Sequence, residues 1–124
     1  MMRLPREEFE RLVAEAIDGL PAEFAEKLDN VEFVVEDYPR PEDYGERGVE
    51  PGALLLGLYQ GVPLIERSPF ATTLMPDQIT IFQGNIERIC RTREEIVHEV
   101  RRTVLHEIAH HFGISDARLR ESGY

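Results

Sequence analysis

The sequence has a single cysteine, Cys90, and no apolar run long enough to cross a membrane. One cysteine excludes an intramolecular disulfide and a thiol-rich metal site, and Cys90 is expected to be a small buried hydrophobe. The N-terminal stretch MMRLPREEFERLVAEAIDG carries charges throughout and has no signal-type apolar core. A reducing cytoplasm is therefore the expected compartment.

Positive charge is also scarce, with 14 basic against 24 acidic residues and a formal net charge of -10. Such a surface repels phosphates and anionic lipids, which excludes nucleic acid and membranes as expected partners. With 124 residues and 42% hydrophobic content, the chain is long enough to bury a core. We predict one domain over residues 1–124, whose oligomeric state the sequence leaves open.

Helical and strand patterns are mixed along the chain, which predicts an α+β fold. Apolar residues at helical spacing indicate an amphipathic helix over residues 5–19, and a second short helix is predicted over 21–28. A strand rich in β-branched residues begins at Val31. Two further strands are predicted within residues 53–67, where Gly57 allows a bulge or a close backbone approach.

The last helix is the most clearly predicted element. Thr92 and Glu95 form a capping-box pair that places its start near Arg93, and Gly113 provides a left-handed stop. The predicted buried stripe recurs every four residues and consists of Ile96, Val100, Val104, Ile108 and Phe112. A shorter helical segment, NIERIC, is predicted before it with Asn85 as its cap.

The C-terminal half of that helix and the turn beyond it read HEIAHHFGISD. His106 and His110 are four residues apart, so they project from one face about 6 Å apart along the axis and can converge on one zinc ion. Glu107 lies at the edge of the same face and is predicted to be the general base for a metal-bound water. Asp116, turned back by Gly113, is the candidate third ligand, which leaves a fourth position open as in catalytic zinc sites.

The motif HExxHxxGxxD resembles the zinc signature of zincin metallopeptidases, with Asp where metzincins usually carry a third His. The segments VVEDYP, LLGLYQGVPLIERS, PDQITIFQGNI and VLHEIAHHFGISD resemble the small family often called minimal zincins. The resemblance implies a short mixed β-sheet backed by an N-terminal helix, with an active-site helix near the C-terminus. It also implies His106, His110 and Asp116 as zinc ligands and Glu107 as base. In contrast to metzincins, no methionine follows Asp116.

Two functions are compatible with these residues. The first is zinc-dependent hydrolysis of short or unfolded peptides, with zinc as the cofactor and a peptide or unfolded protein as the partner. The alternative is a zinc-binding interaction or regulatory module that docks a partner through the acidic residues 42–50 and has little or no peptidase activity. Glu107 favours hydrolysis, because a binding module needs no base beside its metal.

Two further segments are expected to serve the site. The segment Gln78–Phe82 is predicted to be the edge strand along the active-site groove, where proteins resembling this one bind substrate as an added strand. This makes Ile79, Thr80, Ile81 and Phe82 candidate substrate-binding residues. The alternative is an interior strand paired on both sides. The segment 38–52, dense in Pro, Gly and acid, is predicted to be a mobile loop near the cleft mouth.

Overall fold

The computed structural model describes residues 2–47, 54–61, 77–121 and 123, and for residues 45–47 and 116 the backbone alone. The mixture of helices with a small mixed sheet confirms the predicted α+β class. The helices are α1 (Arg6–Asp18), α2 (Ala22–Ala25), α3 (Pro41–Arg47), α4 (Gln83–Ile89), α5 (Arg93–Phe112) and α6 (Asp116–Glu121), and a 3-10 turn covers Glu26–Leu28. The strands are β1 (Val31–Glu36), β2 (Gly57–Gln60) and β3 (Asp77–Phe82). In this part of the chain, no helix is both long and apolar enough to cross a bilayer.

The three strands form one sheet in the order β1-β3-β2. β3 pairs in parallel with β1 along its whole length and antiparallel with β2 from Gln78 to Ile81. The prediction of an edge strand at Gln78–Phe82 is therefore wrong, and the interior alternative is confirmed. The burial of Ile79, Thr80, Ile81 and Phe82, none more than 3% exposed, is typical of a strand covered on both faces. The short length and polar ends of this segment had indicated an edge strand.

The main hydrophobic core lies between one face of this sheet and two helices. Ile79 and Ile81 of β3 point to this face, where Phe9 and Val13 of α1 and the buried stripe of α5 cover them. α1 also packs directly against α5, and its contacts with β3 confirm the prediction of a short mixed sheet backed by an N-terminal helix. A smaller cluster on the other face of the sheet consists of Leu55, Leu58 and Phe82, with Tyr44 packed against it.

The segment after β1 contains a helix that the sequence analysis missed. α3 begins at Pro41, within the segment predicted to be a loop. Proline is favoured in the first helical turn, and the side chain of Asp43 accepts a hydrogen bond from the Arg40 N–H at 2.8 Å. A loop over the whole segment is therefore wrong, because the proline and acids that argued against helix are also helix-start residues. Residues 48–52 lie outside the described part of the chain.

α5 begins and ends where the capping residues predicted. The Thr92 side chain accepts from the Glu95 N–H at 3.1 Å, and Gly113 has φ 71°, after which the Ile114 N–H donates to the Ala109 carbonyl at 2.8 Å. Phe112 is 44% exposed, so its predicted place in the buried stripe is wrong. Each step of four residues advances 400°, so four steps from Ile96 turn Phe112 by about 160° away from the first member of the stripe.

α4 also differs from the prediction at its start. It begins at Gln83, two residues before the predicted cap, and Asn85 lies inside the helix. The Asn85 side chain is buried and donates to the Leu55 carbonyl at 2.8 Å. Asn85 therefore holds the chain segment that leads into β2, and it does not cap the helix as had been predicted.

Candidate active site

Glu107, the predicted base, lies buried between α5 and β2. Its side chain is 7% exposed, and Oε2 accepts a hydrogen bond from the main-chain N–H of Tyr59 at 3.2 Å. These two residues are 48 positions apart in sequence. The carboxylate is thus placed by the helix and oriented by the strand.

β2 and α5 run side by side with matched spacing. A Cβ built on Gly57 would lie 2.6 Å from Thr103 Cγ2, and one built on Gly61 would lie 3.2 Å from His111 Cε1. Tyr59 meets Glu107 midway between these two contacts. Two strand residues span about 6.6 Å and four helix residues about 6 Å, so successive contacts stay in step. The predicted close backbone approach at Gly57 is confirmed, and it brings the strand within hydrogen-bonding distance of Glu107.

A groove of about 240 Å³ opens beside Glu107. His106 and Glu107 line it at one end, and Thr103, Arg102 and Glu99 continue along α5. The opposite wall is the segment 54–57, which begins with the 46%-exposed side chain of Leu54. Arg102 and Glu99 form an ion pair at 3.1 Å, so the charges at the far end of the groove offset one another. A larger cavity, of about 510 Å³ beside Cys90 and His98, includes none of the predicted site residues.

The two histidines of the motif lie on one face of α5, as predicted. Their ring centroids are 6.4 Å apart with an interplanar angle of 64°. His106 is half-buried with a buried Nε2 atom, and His110 is exposed. Two imidazoles that share a tetrahedral zinc at about 2.0–2.1 Å have ring centroids roughly 5 Å apart. The pair fits a zinc ion after a modest rotation of the side chains.

The third predicted ligand, Asp116, is the first residue of α6, directly after the turn at Gly113. Its side chain lies outside the described part of the structure, so its ligand role stays a prediction. Among the side chains that are described, no group of three potential ligands is close enough to hold a metal ion. Histidines 106 and 110 are therefore a two-ligand pair that requires a further donor.

Tyr59 is a site residue that the sequence analysis did not identify. Its ring stacks on His111 with centroids 4.0 Å apart, and its hydroxyl donates to Asp77 Oδ2 at 2.6 Å. Burial, then the hydrogen bond and charge of Asp77, raise the pKa of Tyr59 above its ordinary value. His111 is exposed. No sequence pattern links Tyr59 to Asp77 or His111, because both contacts join elements that are distant in the chain.

A family model described as zincin-like metallopeptidase matches residues 28–124 of this chain. The chain belongs to the zincin-like metallopeptidase family. The match contains the sheet, α5 and α6, whereas α1 precedes it. Zinc binding by related proteins is implied by this membership, and the suspected resemblance to minimal zincins is confirmed.

A solved structure of a conserved hypothetical protein from Thermus thermophilus resembles this zincin-like chain, with a TM-score of 0.56 and 24% sequence identity. The alignment covers 88% of this chain and 94% of that one. At this identity the likeness supports the shared fold alone. A search of curated proteins found no match.

Proposed function

We propose that this zincin-like chain hydrolyses peptide bonds in short or unfolded polypeptides, with Glu107 as general base and His106, His110 and Asp116 as zinc ligands. The observation that carries the proposal is the placement of the Glu107 carboxylate and His106 in one groove beside β2. Hydrolysis requires a base adjacent to the paired-histidine site, whereas a metal-dependent docking module does not require one.

The roles of the residues follow from their positions. A bound zinc supplies a polarising charge for the scissile carbonyl and lowers the pKa of a coordinated water. Glu107 takes the proton of the attacking water and later delivers it to the leaving amine. Because Glu107 is buried and its Oε2 accepts a hydrogen bond from the Tyr59 N–H, the carboxylate is held beside the groove before a peptide binds.

β2 replaces β3 as the proposed peptide-binding strand. The Phe82 N–H donates to the Leu56 carbonyl at 3.0 Å, which marks this pair as hydrogen-bonded in the antiparallel ladder. Hydrogen-bonded pairs alternate along the strand, so the main-chain groups of Gly57 and Tyr59 point away from β3. No further strand pairs with β2 in the residues that the structure describes. An extended peptide can add at this side and pass beside Glu107.

The proposed substrate class is limited by the way an edge strand binds. Only an extended chain can pair with main-chain groups, so folded proteins are excluded and short or unfolded peptides remain. The groove of about 240 Å³ is smaller than the roughly 300–1,000 Å³ of small-molecule pockets, which suits a single peptide side chain. The acidic net charge disfavours nucleic acid. A reducing cytoplasm stays the proposed compartment, because Cys90 is a lone buried thiol.

The test combines metal analysis with cleavage of an unbiased peptide library. The wild-type chain is expected to bind one zinc and cleave peptides, and Glu107→Gln is expected to keep the zinc and lose at least about 100-fold in kcat/KM. Glu94→Gln is the matched control, because Glu94 is an exposed glutamate in the first turn of the same helix. It should cleave at the wild-type rate. Equal rates for Glu107→Gln and the wild type would remove Glu107 as the base.

The ligand set is tested by the same metal analysis. His106→Ala, His110→Ala and Asp116→Ala are each expected to lose zinc, since removal of one of three ligands weakens binding by orders of magnitude. Full zinc occupancy in Asp116→Ala would exclude that residue from the site. A zinc-loaded chain that cleaves no library member would instead support a docking module.

A further inference from the structure

The main-chain N–H of Tyr59 has two potential acceptors in the proposed peptide complex. It points to the outer side of β2, where an added strand would place its own carbonyl groups. In the structure it already donates to Glu107 Oε2 at 3.2 Å. Both acceptors cannot hold this single donor with good geometry at once.

We propose that Glu107 and a carbonyl group of the peptide compete for the N–H of Tyr59, so that peptide binding releases the carboxylate. Before binding, Tyr59 holds the base in place. In the complex, the peptide carbonyl takes the Tyr59 N–H, and Glu107 turns toward the reacting water. The inference rests on the proposed function only in taking β2 as the peptide-binding strand.

The structure indicates which side of this contact moves. Tyr59 is fixed on both sides of its ring, since its hydroxyl donates to Asp77 and its face stacks on His111. The strand cannot approach α5 further, because Gly57 already lies against Thr103. Glu107, in contrast, has three side-chain torsions and borders an open groove of about 240 Å³. The exchange therefore proceeds by rotation of the carboxylate, and Tyr59 acts as a positioning residue for it.

Three uncharged variants of Glu107 separate the effect of its hydrogen bond on peptide affinity from the effect of its side-chain size. Glu107→Gln keeps an acceptor for the Tyr59 N–H, Glu107→Met has similar length with only a weakly accepting thioether, and Glu107→Ala removes both acceptor and bulk. All three lack the base, so a peptide stays intact while its binding is measured. The probe is acetyl-Ala-Ala-Leu-Ala-Ala-amide, titrated by isothermal calorimetry into each full-length variant with zinc in the buffer.

The expected order places the Gln variant as the weakest binder. Loss of a competing hydrogen bond of ordinary net strength corresponds to about fivefold in Kd, so the Met and Ala variants should each bind the probe about fivefold more tightly than Gln. Equal Kd values for the three variants would overturn the proposal. Tighter binding by Ala alone would also overturn it, because the gain would then come from space and not from the freed N–H.

A second measurement covers the case in which a variant does not fold. An amide-to-ester replacement at Tyr59 removes this N–H and keeps the side chain. In the Met variant it should weaken probe binding severalfold, whereas in the Gln variant it should change the affinity little, because there the N–H has an acceptor both before and after binding. An equal change in the two variants would contradict the proposal. These binding measurements do not depend on hydrolysis. If the Kd values follow the expected order but the wild type cleaves no peptide, only the proposed function is refuted. If the wild type cleaves peptides but the Kd values do not follow this order, only the competition for the Tyr59 N–H is refuted.

Discussion

Gly57→Ala tests the close contact between β2 and α5 on which the site depends. The added Cβ would lie 2.6 Å from Thr103 Cγ2 and 3.1 Å from the Thr80 carbonyl oxygen. Two carbon atoms prefer about 3.5–4.0 Å, so the strand and the helix must separate by roughly 1 Å. The φ of Gly57 is not positive, so an alanine can adopt its backbone conformation and the cost is steric.

The magnitude follows from two opposing terms. Overpacking of a buried site costs about 1–3 kcal/mol, and the lower chain entropy of alanine in the unfolded state offsets about 0.5–1 kcal/mol. The free energy of unfolding should fall by about 1–2 kcal/mol, which lowers Tm by roughly 3–8 °C for a domain of this size. The kcat/KM of the folded variant should also fall, because the same separation moves the Tyr59 main chain, and the peptide that it would bind, away from Glu107.

A double-mutant cycle in urea unfolding identifies the cause. Thr103→Ala removes the Cγ2 methyl that faces Gly57, so Gly57→Ala should cost about 1 kcal/mol less in the Thr103→Ala background than in the wild type. The contact with the Thr80 carbonyl remains, which keeps the relief incomplete. Equal costs in the two backgrounds, or a Gly57→Ala variant as stable as the wild type, would refute the reasoning.

Further predictions concern three buried residues, Cys90, Asn85 and Thr80. Burial, with smaller contributions from nearby carboxylates, raises the pKa of the Cys90 thiol to about 11. A thiol reagent at pH 8 should therefore label the folded chain slowly and the urea-unfolded chain rapidly. Fast labelling of the folded chain would contradict this prediction. Because the unfolded thiol ionises first, the free energy of unfolding should also fall between pH 9 and 11, and Cys90→Ala should lack that part of the fall. Asn85→Ala leaves the Leu55 carbonyl without its buried donor and should cost about 1–3 kcal/mol in urea unfolding. Thr80→Pro removes a main-chain donor from the interior strand and should abolish the native circular dichroism spectrum, whereas a folded variant would argue that β3 is not interior.

Local chemistry carried most of the correct predictions. The limits of α5 were predictable because Thr92, Glu95 and Gly113 act within a few residues of themselves. The placement of His106 and His110 on one face follows from helical geometry alone, so spacing was sufficient. The family membership rests on the same kind of information, since sequence motifs spread over β1 to α6 carry it.

The errors arose where one sequence pattern is compatible with two different structures. Proline and acidic residues are common both in loops and at helix starts. In this chain the Arg40 N–H donates to the Asp43 side chain, and this hydrogen bond stabilises the start of α3. An alternating strand with polar ends suits both an edge and an interior position. Strand order depends on which segments meet in space, and β1 and β2 lie on either side of β3.

The sequence by itself determined the type and spacing of the reactive groups, because a helix converts positions 106, 107 and 110 into neighbouring side chains. Tertiary structure alone decided what those groups contact. The hydrogen bond of Glu107 to Tyr59 joins residues 48 positions apart, and it depends on β2 reaching α5 at Gly57. Main-chain donors carry no residue-specific signal, so no inspection of the sequence could have singled out the N–H of Tyr59 as the group that holds the base.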